Sequence, residues 1–208
     1  DIYIGFNAHT SGGSCTDPDF TADGADDSAQ IALAVADTNA SGTLHFCPGT
    51  YDIDTTINLS STDITLQGAN AATTTLDGGG TTQILTSSGA ITVSDLTFHD
   101  GDGDGDGGAI YAGTTVTVTD SSFTGNISDD YGGAIYADTA TVTSSTFTDN
   151  TADSYGGAMN IEGHGSVVTS RFVGNRAFGS DGGAIEVSGN LDTVRSYFAN
   201  NSALAEGS

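Results

Sequence analysis

The chain has 208 residues, 27 of them acidic and three basic, for a formal net charge of −24. All three cations are arginines (Arg171, Arg176 and Arg195), and lysine is absent. Such a surface repels nucleic-acid phosphates and anionic headgroups, so both are excluded as partners. The longest purely apolar run, Ile31 to Ala36, is too short for membrane insertion as a spanning helix.

In chain order, residues 1–25 are rich in Gly, Ser and Asp and read as an irregular segment. Asp27, with Gln30 three positions on, reads as a capping-box helix start, and the apolar run that follows predicts a helix over about 27–39. Residues 1–41 are assigned to a cap over an otherwise open end of the fold, with coils over 42–208, the whole forming one domain. Cys15 and Cys47, the only cysteines, are expected to pair in an oxidising compartment and to tie the cap to the first coil. From Thr43 short strands begin, among them Leu44 to Cys47, Tyr51 to Ile53 and Ile64 to Leu66.

Regular repeats run from about residue 90. Gly107-Gly108-Ala109-Ile110 returns at Gly132, Gly156 and Gly182, in steps of 25, 24 and 26 residues, with Met159 replacing Ile in one copy. Phe98, Phe123, Phe147, Phe172 and Phe198 keep the same beat, and Asn126, Asn150, Asn175 and Asn201 follow the last four by three residues. Between these markers lie alternating runs such as Thr115 to Thr119 and Ala140 to Thr143, whose period of two indicates strand. A unit of this length cannot bury its own inward face, whereas stacked units can, so the pattern predicts an all-β parallel β-helix. In that fold the five Phe become a buried aromatic ladder. The Asn amides bond to turn backbones and to one another, and each Gly pair makes a corner.

The paired Gly-Gly-Ala-Ile and Phe-x-x-Asn signature over residues 90–208 resembles the repeats of chlamydial polymorphic membrane proteins and of many bacterial surface proteins. The resemblance implies a right-handed parallel β-helix and the role of a surface-exposed passenger or adhesin, with no catalytic residues attached. Gly49 to Asp54 and Ile64 to Gly68 are similar to the opening coils of pectin-lyase-like folds.

The densest acidic stretch places Asp100, Asp102, Asp104 and Asp106 in alternation with Gly, and the last three of these resemble the start of an EF-hand loop. Gly113 stands where such a loop needs its bidentate Glu, so the alternatives are a simpler Ca²⁺ site in a turn or a solvated acidic loop. Loops 100–107, 127–131, 151–155 and 176–181 are expected on one corner, which makes Asp129, Asp130, Tyr131, Asp153, Tyr155 and Asp181 a ligand edge for an extracellular protein or glycan. Gly163-His164-Gly165 and Asp129-Asp130 resemble two polygalacturonase signatures but fall on different corners, and Arg171 and Arg195 are expected to pair with nearby Asp across coils. The expected function is a non-catalytic secreted or cell-surface module. Alternatives are a self-associating filament unit and a polysaccharide-binding or polysaccharide-degrading protein. The stop at residues 205–208, where the next Gly pair is due, is read as a fragment boundary or as an end covered by another copy.

Overall fold

The computed structural model describes residues 1–5, 15, 18–37, 42–59 and 63–204. Its strands pair in parallel and form three sheets of 13, 7 and 5 strands. Successive turns of the chain stack as coils, because each coil's inward Val, Ile, Leu and Phe are covered only by the coils above and below.

The largest sheet has two lanes. In one, Ile57–Asn58, Leu85–Ser87 and Ile110 to Ala112 lie side by side. In the other, Thr43–Phe46, Ile64–Gly68, Ile91–Ser94 and Val116 to Thr119 do so. The sequence separates these lanes by Gly113 and Thr114, yet Ile110–Thr119 is one continuous strand, as is Ile135–Thr143. An irregularity in register between Ala112 and Thr115 absorbs the extra residue. Inward positions stack like on like: Leu44, Leu66, Val93, Val118, Val142 and Val167 form one continuous apolar column.

The 7-stranded sheet carries the aromatic column. Phe98, Phe123, Phe147, Phe172 and Phe198 stack with centroids 4.6–4.9 Å apart and planes within 8°. Each such pair adds about 0.5–1.5 kcal/mol beyond the area it buries. Four of the rings are buried; Phe198 is 42% exposed, which corrects the expectation of five buried rings, since no described coil covers its outer face. Towards the N-terminus the column continues through Leu76 and Tyr51, which the Phe spacing did not reveal.

Two of the corners carry ladders of bonded polar side chains. Asn126 donates through Nδ2 to Asn150 Oδ1 (2.9 Å) and to Phe98 O (3.2 Å), and Asn150 Oδ1 also accepts the Asn126 backbone N–H (3.0 Å). Asn150, Asn175 and Asn201 repeat the pattern. At the opposite end of each Phe strand a second ladder appears that the sequence reading missed. The Oγ atoms of Ser121, Ser145, Ser170 and Ser196 accept backbone N–H groups from the preceding coil at 3.1–3.3 Å. Its signal is plain in retrospect: a Ser two residues before each of the last four Phe.

The Gly pair divides its work. The first Gly of each pair has φ between +59° and +70°, a region that L side chains disfavour. A Cβ on the second would strike a carbonyl oxygen of the next coil, such as Gly157 O over Gly133.

The described part of residues 1–25 is less irregular than expected. Ile2–Gly5 pairs in parallel with Thr43–Phe46 and, on its other side, with Phe20–Thr21. A partner about 40 residues away leaves no local trace in the sequence. The helix spans Ser28–Asp37, with Ile31 and Ala34 buried beneath it; its expected end at Asn39 falls outside the described residues. The capping box does not form as read. Asp27 turns its carboxylate to the N–H groups of Asp23, Gly24 and Asp52, while Asp26 Oδ1 accepts from Ser28 N–H. Cys15 and Cys47 are joined by a disulfide. Residues 205–208, on which the fragment and covered-end readings rest, lie outside the described residues.

Candidate functional site: the acidic corner

The segments read as loops contain the third sheet. Asp102–Gly103, Ile127–Ser128, Thr151–Ala152, Arg176–Ala177 and Ser202–Ala203 pair in parallel, with Gly103, Ser128, Ala152 and Ala177 buried inward. After each of the first four strands the chain bends before its Gly pair, and the bends stack by backbone bonds: Asp129 N–H to Gly103 O (3.0 Å), Ser154 N–H to Asp130 O (2.9 Å) and Gly179 N–H to Ser154 O (2.7 Å). These bends place Asp129, Asp130 and Tyr131, then Asp153 and Tyr155, then Asp181, on successive coils of one corner.

The Tyr131 and Tyr155 rings stack with centroids 5.6 Å apart. Around the corner on the long sheet a second pair, Tyr111 and Tyr136, stacks at 5.3 Å, and the Tyr136 hydroxyl donates to Glu162 Oε1 (3.2 Å). This pair was missed. Its signal is the Tyr that follows Ile in two copies of the Gly-Gly-Ala-Ile motif.

Charge is crowded here. Burial raises the pKa of Asp102, with help from Asp129 and Asp104. Burial likewise raises that of Asp106, seconded by Asp130 and Glu162 and opposed by a hydrogen bond from Tyr131 N–H. Tyr136 is pushed up to about 12, first by burial and then by Glu162. Such a corner attracts cations and cationic side chains.

The four expected Ca²⁺ ligands are dispersed. Asp100 turns to His99, its Oδ2 3.5 Å from Nδ1. Asp102 and Asp104 border a shallow cleft of about 320 Å³ with Asp54, Thr55, Thr56, Thr81, Thr82 and Gln83. Asp106 Oδ1 accepts from Tyr131 N–H (3.2 Å). Among the described residues no three of them bring ligand atoms together.

The arginines do not bridge coils to aspartates as expected; among the described residues the ion pairs all involve histidine. Arg171 lies over the Tyr197 ring (4.9 Å) and Arg176 over Phe178 (4.1 Å). His164 sits on the long sheet, where its carbonyl accepts from Ala140 N–H (3.1 Å), away from the bend that holds Asp129 and Asp130.

With this geometry in view, the comparison with known families is specific. The model of the Chlamydia polymorphic membrane protein repeat matches residues 120–138 and 144–158. The two segments fall on successive coils and include Phe123, Asn126 and the Gly132 pair, then Phe147, Asn150 and the Gly156 pair, so these coils resemble that repeat in the residues that build the ladders. No curated protein matches the chain. Among the described residues no helix is long and apolar enough to cross a membrane.

Proposed function

We propose that the chain is a secreted or cell-surface β-helix module of adhesin-like, non-catalytic function, which holds its acidic corner rigidly toward an extracellular protein or glycan. The observation that carries the reading is the match of two successive coils to a repeat of membrane-associated proteins. It is supported by the parallel stacking of the bends that carry Tyr131 and Tyr155, which lets one partner span several coils. Protease shaving of intact source cells should remove the protein, and a glycan and matrix-protein array should give a ligand whose binding weakens on Tyr131→Ala and Tyr155→Ala. Protection from shaving together with a blank array would overturn the reading.

A second reading is end-to-end association of copies. It is favoured by Phe198, 42% exposed and stacked on one face only, in a column whose other four rings are buried. Light scattering over a concentration series tests it: a mass that grows with concentration supports stacking, and a constant monomer mass rejects it.

A further inference from the structure

We infer that Asp77, His99 and Asp100 form a binding site for a borderline-soft divalent metal ion of the Zn²⁺ class, clipping two adjacent coils together. The site adjoins the acidic corner through Asp100 but stands whether or not the surface role above is correct.

The argument starts from register. Asp77 and His99 are direct cross-strand partners in the parallel pairing of Thr74–Asp77 with Thr97–His99, so both side chains leave the same face of the 7-stranded sheet. His99 Nδ1 lies 3.1 Å from Asp77 Oδ2 and 3.5 Å from Asp100 Oδ2, and ligand atoms of all three residues fall within 4.8 Å of one another. Bonds of 2.0–2.2 Å to nitrogen and oxygen put neighbouring ligand atoms about 3.0–3.5 Å apart, from octahedral to tetrahedral geometry. The two spacings from His99 Nδ1, 3.1 and 3.5 Å, fall in that range, and the shorter is a hydrogen bond that an incoming metal ion would replace.

Asp77 is held in place from outside the triad, and Asp100 is given room by the next coil. Asp77 accepts the Gly79 N–H on its other oxygen (2.9 Å), which leaves Oδ2 facing the imidazole. Asp100 lies across Gly125 of the next coil, where an added Cβ would strike its Oδ1, so the missing side chain makes the room. Outer contacts of this kind orient ligands and tune affinity. The imidazole decides the metal class: Ca²⁺ takes six to eight oxygens, whereas one nitrogen with two carboxylates suits Zn²⁺, Ni²⁺ or Cu²⁺. All three side chains remain partly open to solvent, leaving an approach path and a further coordination position for water.

The molecule supplies its own control. Asp149 lies across Gly174 in the same manner two coils on, but Thr148 occupies the position of His99, so that corner has no nitrogen donor.

The test is titration of the tag-free protein with Zn²⁺ alone, followed by calorimetry and by the imidazole NMR signals. One equivalent is expected to bind, with the His99 Nδ1 resonance shifting and Ca²⁺ competing at least ~100-fold more weakly. His99→Ala should weaken binding about tenfold or more and Asp77→Asn should also weaken it, while Asp149→Asn and His164→Ala leave it unchanged. Absence of binding, an unmoved His99 signal, or binding that survives His99→Ala would overturn the site; survival would mean diffuse attraction to the acidic surface. The NMR observation uses the unmutated protein, so it decides the matter even if a variant folds poorly.

Discussion

The coils before and after residue 90 solve one packing problem in two ways. In the early coils each polar contact is made once. The Tyr51 hydroxyl reaches Ile4 O and Cys47 O (2.9 Å each), and the buried Asp27 carboxylate gathers three backbone N–H groups. In the later coils the same residue types recur, so a single Asn or Ser serves the coil below while its copy serves it from above. The early coils are therefore anchored by individual links to the cap, the later ones by columns. A break in a column should spread to its neighbours, whereas a break in a link should stay local.

The largest expected effect comes from the middle of a column. Phe147→Ala removes a buried ring stacked at 4.6–4.7 Å on both faces and should cost about 3–5 kcal/mol in denaturant unfolding. Phe198→Ala, half-exposed and stacked on one face, should cost roughly 1–2 kcal/mol. Equal losses at the two positions would mean that neither the fuller burial of Phe147 nor its second stacking face adds stability. Next comes the link at the other end. Replacing Cys15 and Cys47 together by Ser opens a loop with a sequence separation of 32, which on chain-entropy grounds costs about 3–4 kcal/mol. Hydrogen exchange should then rise in Ile2–Gly5 and the helix and leave Phe123 to Asn175 protected.

The same contrast explains what could be read from the residues alone. Phe and Asn stood out because uncommon residue types recurred at a fixed step; the Ser ladder recurred as faithfully but was hidden by the abundance of Ser and Thr around it. Asp77 and His99 escaped notice for the opposite reason. They stand in a mixed column that runs Asp52, Asp77, His99, Thr124 and Thr148, and only the pairing of strands shows that residues 22 apart are neighbours. The Asp100 to Asp106 run failed in the reverse direction, since carboxylates close in sequence turn to different neighbours: Asp100 to His99, Asp102 and Asp104 to a cleft, Asp106 to the Tyr131 N–H.

The two polar columns can be set against each other. Asn150→Ala strips an acceptor from the Asn126 backbone N–H and side chain and a donor from Phe123 O, all buried, and should cost about 2–4 kcal/mol. Ser145→Ala leaves one buried N–H, that of Ser121, without its acceptor and should cost about 1–2 kcal/mol. If Ser145→Ala proves as damaging as Asn150→Ala, the number of bonds per side chain is not what ranks the corners, and the tight left-handed backbone at Ser144 (φ +51°) becomes the better explanation.

The smallest effect is electrostatic and has a definite sign. Burial, followed by neighbouring carboxylates, raises the pKa of Asp102, Asp106 and Glu186 on or beside the acidic corner and of Asp52 in the early coils. A carboxyl raised in the folded state holds its proton to higher pH than the unfolded chain does, so stability falls as pH rises through that window and the penalty is complete above it. Asp26 runs the other way, lowered chiefly by a hydrogen bond from the Ser28 side chain; its contribution is present above the ordinary carboxylate range near pH 4 and is lost below it. The raised groups begin to take up protons before Asp26 does, so melting temperature should increase slightly as pH falls from 7 toward the ordinary carboxylate range, and less at high salt, where the crowding is screened. Asp102→Asn should flatten that slope, because it removes both a titrating group and a neighbour of Asp129. A melting temperature that instead drops between pH 7 and pH 5 would mean that carboxylates at the corner are paired with cations in solution, and repeating the scan with chelator present would show whether a bound metal supplies them.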